Sequence, residues 1–253
     1  MRACVEIAWV AIRELLHERV FYLLLAFAGL SLGVSALLGQ MTYGEQQKLT
    51  MDFMLAGTQL SMSLFAIFMG ISLLQRELTG GSIAVVLARP LPRWNFLVGK
   101  YLGQAVIQSG ISVAMVGITV LFCSRFGPVA FLPLFQVALL NVMELAVLTA
   151  AAYFFAVNAG PLVAAVGGGC VFVLGHIREA VSTGVGEGMA VPGWRVLSAA
   201  IPDLELFNLK PLASYGLGLG ATEMGWAAAY TVCCLTLFLV PACLCFQRRD
   251  LLT

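Results

Sequence analysis

Acid–base and metal chemistry needs Cys, His, Asp and Glu side chains gathered at close spacing, and this sequence offers few of them in such patterns. The two histidines are His17 and His176. His17 falls on the polar side of an amphipathic stretch and His176 sits beside Arg178 and Glu179, so both read as solvated or interfacial residues. No pair among the seven cysteines has a His or acidic companion at metal-ligand spacing. Cys243-Leu244-Cys245 has the chemistry to hold a soft metal such as copper, but its apolar setting favours plain helix filling. No Walker lysine motif, H-E-x-x-H pair or nucleophile elbow occurs. Glu144 stands out, because it is a carboxylate in the middle of a long apolar run, roughly 18 Å by helical rise from either end of its span. An intramembrane acid is costly to bury and is by default a functional candidate. It suits two roles: a polar group lining a translocation path, or an anchor bonded to Asn141, Gln104 or Gln108.

The elements that must position Glu144 follow from composition. Of 253 residues, 60% are hydrophobic and 11% charged, against roughly 25% charged in a soluble domain. That excludes a soluble globular enzyme, a disordered chain and a basic nucleic-acid binder, and the formal net charge of +1 points to no acidic partner. The composition predicts an all-α integral membrane protein.

A bilayer core takes about 20 helical residues to cross. Runs of that length predict six spans in one transmembrane domain over 1–253: about 20–39, 53–75, 101–124, 133–157, 162–177 and 224–247. The fourth and fifth are separated at Asn158-Ala159-Gly160-Pro161, where Pro removes a donor and Gly accepts turn geometry. Barrel strands are excluded because they alternate in polarity over about ten residues. With both termini in the cytoplasm, nine of the 14 Lys and Arg side chains fall inside. This is the predicted orientation, for a multi-pass protein of the inner (plasma) membrane. The N-terminus is too acidic for a signal peptide, carrying Glu6, Glu14 and Glu18.

Outside the spans, residues 3–19 predict an amphipathic interfacial helix, with Val5, Ala8, Trp9, Ile12, Leu15 and Leu16 on one face. Residues 76–100 form a basic cytoplasmic loop in which Ser82 can cap a short helix that Pro90 and Pro92 end. The external loop 178–223 is rich in glycine. Within it, Ile201 to Lys210 predicts a short helix at the outer interface. Gly29-x-x-x-Gly33 and Gly99-x-x-x-Gly103 permit close helix packing; the first suits a dimer contact or packing within the chain, and the latter is the simpler reading.

The run Arg76-Glu77, Gly81, Leu87-Ala88-Arg89-Pro90, Arg93, Phe96-Leu97 and Gly99-Lys100 resembles the loop between spans two and three of type-2 ABC exporter permeases, including those of multidrug, sodium and nitrous-oxide-reductase-maturation type. It departs from that pattern at Ser82, where Thr is commoner, and at Pro92, where Ser is commoner. The N-terminal helix, six spans, long last external loop and basic ending extend the likeness over nearly the whole chain. The resemblance implies a non-catalytic subunit that pairs with a second permease copy or a paralogue. A separate cytoplasmic ATPase subunit would hold ATP and Mg, and this chain would carry no cofactor or metal. It further implies that Glu77, Gly81, Arg89, Pro90 and Arg93 shape a short cytoplasmic coupling helix seated on the ATPase, and that Lys100 anchors the third span at the lipid headgroups. Two alternatives remain. A six-span secondary transporter using Glu144 would want paired intramembrane ionisable groups and inverted repeats, and neither is evident. A heme-exporter-like or assembly-factor membrane protein is the other.

Overall fold

In the computed structural model, the described residues are 2–40, 46–80, 93–184 and 201–248. The helices are α1 (Arg2–His17), α2 (Arg19–Gln40), α3 (Gln46–Gly80), α4 (Arg93–Cys123), α5 (Phe131–Asn158), α6 (Pro161–Gly184), α7 (Lys210–Ser214) and α8 (Ala221–Arg248), with a 3₁₀ turn at Glu205–Phe207. No strand occurs among the described residues. The all-α membrane reading holds. By length and composition α3, α4, α5, α6 and α8 can each cross a bilayer, and the pair α1–α2, bent by 67°, makes a sixth if it counts as one span. Helix α2 has 22 residues, which at about 1.5 Å each exceeds the roughly 30 Å hydrocarbon core.

Several helices outrun the apolar runs that predict them. Helix α3 begins at Gln46 rather than at 53 and reaches Gly80, and α4 begins at Arg93 rather than at 101. The connection expected over 76–100 therefore narrows to 81–92. Helix α6 continues past 177 to Gly184, and the segment before α8 is folded from 201 onward, so 178–223 is not a plain loop. The physical reason is the same throughout. Hydropathy marks where lipid ends, whereas a helix continues as long as its backbone groups bond within it. The α5/α6 break falls where expected. Helix α5 stops at Asn158, Ala159 N–H donates to Phe155 O at 2.8 Å, and Pro161 opens α6, where its missing N–H is harmless.

Helix α3 is the most enclosed span, with 72% of its membrane window buried, and it packs on α2, α4, α5 and α6. Helix α5 lies at the centre, between α3, α4, α6 and α8. Ala150, Ala151, Ala152 and Tyr153 are wholly buried there, and Tyr153 meets Tyr101 edge to face at 5.9 Å between ring centres. Helix α1 lies against α4, with Ala11 and Leu15 fully buried and Trp9, Val10 and Leu16 exposed. Gly103 makes this approach possible, because a Cβ there would stand 2.6 Å from Ala8 O and 2.8 Å from Ala11 Cβ. The first glycine pair behaves differently from the expectation of internal packing. A Cβ at Gly29 or Gly33 would meet nothing within 4 Å, since both lie on the outward side of α2.

Candidate functional site: two buried polar clusters

The first cluster surrounds the ends of α3 and α4 that flank residues 81–92. Lys100, expected at the headgroups, is instead buried, and its ammonium pairs with Glu14 of α1. The close approach at Gly103, one turn further along, draws α1 over Lys100 and excludes lipid from it. Arg76, near the end of α3, pairs with Glu18 at the α1/α2 junction. Gln75 Nε2 donates to Ala156 O at 2.8 Å and to Ala159 O at 2.7 Å, tying the same end of α3 to the carbonyls that the α5/α6 break leaves open. Acids on one short stretch, Glu14 and Glu18, thus hold basic residues on both helices that bracket 81–92. Of the residues assigned to a coupling helix, Glu77 lies on the last turn of α3 and Arg93 opens α4. Gly81, Arg89 and Pro90 fall outside the described residues, as does the expected helix capped by Ser82.

The second cluster is built on Glu144, which is 1% exposed. Its predicted partners are otherwise engaged. Asn141 donates to Ser112 Oγ at 2.8 Å, Gln104 to Ala66 O at 3.0 Å, and Gln108 Oε1 accepts from Thr149 at 3.0 Å. Glu144 Oε2 instead accepts from Gln59 Nε2 at 2.6 Å, and Oε1 lies 3.5 Å from His176 Nε2. The same Gln59 nitrogen is 2.9 Å from His176 Nε2, and His176 Nδ1–H donates to Phe172 O at 2.9 Å. His176 is therefore not a solvated end residue. One helical turn separates it from Phe172, and the inward face of α6 delivers it to α3 and α5.

The chain then folds back over this cluster. Leu204 N–H donates to Gly175 O at 3.2 Å, and Asp203 N–H to Tyr230 Oη of α8 at 2.7 Å. Gly175 has to be glycine for this approach, since a Cβ there would lie 2.7 Å from Leu204 Cγ and 2.9 Å from Pro202 O. Leu204, Phe207, Leu209 and Ala213 are buried, so the segment is packed into the bundle and not laid on an outer interface. Phe207 and Lys210 close a cavity that Thr58, Gln59, Asn141 and Glu144 line from beneath, with space of about 10 Å³, enough for one water. Burial pushes the Lys210 ammonium below its ordinary range, against the opposing pull of Glu144, Glu205 and Asp52.

Sequence reasoning found Glu144 but missed Gln59, His176 and Lys210 as its neighbours. Gln59 carried a usable signal: an amide inside a charge-free apolar run has to find a partner within the protein. No curated protein matches the chain. A family model described as ABC-2 family transporter protein matches residues 21–251, nearly the whole described bundle. The chain belongs to the ABC-2 transporter family.

Proposed function

We propose that this chain is the membrane permease subunit of an ATP-driven exporter. The observation that carries this reading is the family match over residues 21–251, which runs through both helices bracketing residues 81–92. A separate cytoplasmic ATPase subunit would bind ATP and Mg and hydrolyse the nucleotide. This chain is non-catalytic and converts the ATPase's closure into a shift of its helices. In this reading Glu77, Gly81, Arg89, Pro90 and Arg93 shape the docking helix. Lys100 acts differently from the headgroup anchor first expected: paired with Glu14, it fixes the start of α4 against α1. Two permease copies, or this chain and a paralogue, would enclose the path in the plasma membrane, with both termini cytoplasmic.

The test is co-purification from the native membrane. An ATPase subunit should accompany the wild-type chain and be lost from Glu77→Ala and from Val85→Asp. An intact chain that brings no ATPase with it overturns the proposal. One observation favours a second reading. Glu144 and His176 supply the paired intramembrane ionisable groups that a secondary transporter wants. Substrate uptake by vesicles holding this chain alone, without ATP, would select that reading.

A further inference from the structure

The hydrogen-bond directions around Glu144 leave one position unfilled. A carbonyl oxygen only accepts, so His176 Nδ1, 2.9 Å from Phe172 O, carries a hydrogen. In the neutral ring Nε2 is then a lone-pair acceptor. It takes one of the two hydrogens of the Gln59 amide, and Glu144 Oε2 takes the other. What remains is Glu144 Oε1 facing His176 Nε2 at 3.5 Å, two acceptors with no hydrogen between them. Oε1 has no hydrogen-bond partner among the described residues. A buried carboxylate oxygen left without a donor is costly. One proton added to Glu144 Oε1 gives that oxygen a hydrogen to donate toward His176 Nε2, whose single lone pair it then shares with the Gln59 hydrogen.

We propose that Glu144 and His176 form a proton-binding site whose occupancy sets how firmly residues 201–215 are held over the bundle. The added proton sits between the two groups. The charged groups that face the pair are Lys210 and Glu205, both from the folded-back segment. Asp52 of α3 acts on Lys210. Helix α4 presents Val116 to the cavity and Ser112 to Asn141, neither of which titrates. Helix α8 contributes Tyr230 to the folded-back segment, where its hydroxyl accepts from Asp203 N–H. The proton and Lys210 therefore compete for one negative charge. With the site empty, the Glu144 carboxylate attracts Lys210 and holds α7 down. With the site filled, that attraction is lost, and the segment keeps its apolar anchors and the bonds from Leu204 and Asp203.

The experiment uses the full chain alone in lipid nanodiscs, so it stands apart from the search for an ATPase. Infrared difference spectra are recorded as pH falls from about 8 to about 5. Amide hydrogen exchange over 201–215 is read in parallel. Wild type should show one protonation step, and the exchange of 201–215 should accelerate with it by about tenfold or more after correction for intrinsic pH effects. Glu144→Gln should abolish the step and fix the exchange at its fast value. Lys210→Met leaves the pair itself intact, and removing a neighbouring positive charge should move the midpoint to higher pH by up to about one unit. A step that survives unchanged in Glu144→Gln and His176→Gln overturns the site. An unmoved or lowered midpoint in Lys210→Met overturns the competition, even if the other variants fold poorly.

Discussion

Gly103→Ala is the sharpest probe of how α1 is held. The substitution adds one methyl group to a helix, which by propensity alone favours the variant by about 0.5–1 kcal/mol. The structure reverses that sign. The new Cβ would stand 2.6 Å from Ala8 O and 2.8 Å from Ala11 Cβ, and the first of these is backbone that no rotamer can move aside. Helix α1 has to retreat until the contact reaches about the 3.4 Å of ordinary packing, taking Ala11 and Leu15 out of their buried positions. Overpacking of this kind costs about 1–3 kcal/mol. At about 2–4 °C per kcal/mol for a chain of this size, the midpoint should fall by about 2–12 °C. Gly110→Ala, two turns along the same helix, meets nothing within 4 Å and should be neutral or slightly stabilising. The assay is thermal unfolding of both variants in nanodiscs, with no ATPase present. Equal midpoints for the two variants, or a higher one for Gly103→Ala, would refute the packing argument.

Three further outcomes are expected. Glu14→Gln leaves the buried Lys100 ammonium without its carboxylate and should cost about 3–5 kcal/mol, whereas Lys100→Met removes the charge with its burial penalty and should cost less; thermal midpoints of the two variants, compared directly, check the order. Gln75→Leu takes the amide donor from Ala156 O and Ala159 O and should cost about 1–3 kcal/mol, seen also as faster amide exchange at the α5/α6 break. Because burial lowers the folded-state proton affinity of Lys210, the unfolded chain holds more protons as pH approaches the ordinary lysine value from below. Stability should therefore rise as pH climbs toward the ordinary lysine value, and the difference between wild type and Lys210→Met, measured by thermal unfolding across that range, isolates the effect.

The spans were legible because lipid imposes a length and a polarity on them, and Pro161 after Gly160 announced the α5/α6 break without any tertiary information. Glu144 was legible for the same reason, as a cost that needs an explanation. Its partners were not. Gln59 and Glu144 are separated by 85 positions, and which of Gln59, Gln104 and Gln108 reaches the acid depends on the relative rotation of α3, α4 and α5, a quantity that hydropathy does not carry. His176 was misread because Arg178 and Glu179 made it look like a span end, while its own face of α6 points inward. Lys100 was misread because a lysine at a span boundary ordinarily snorkels, and only the seating of α1 at Gly103 removes it from lipid. Gly29 and Gly33 show the limit of motif reading: small residues permit close packing but do not say which neighbour, if any, uses it.

Helix α3 joins the two clusters. Gln75 and Arg76 hold one end to the α5/α6 break and to Glu18, and Gln59 holds the other half to Glu144 and His176. The distance between Gln59 and Arg76 along the helix is about 25 Å. No proline interrupts α3, whereas α8 contains Pro241. Proline, one identifiable cause of a sharp kink, is thus missing from α3, which runs as one helix from Gln46 to Gly80. If residues 81–92 are where an ATPase pushes, the push enters α3 directly at Gly80, and the first charged group it meets deep in the bundle is the one Gln59 holds. The acid at the centre of the bundle and the loop at its edge are thus joined through one continuous helix.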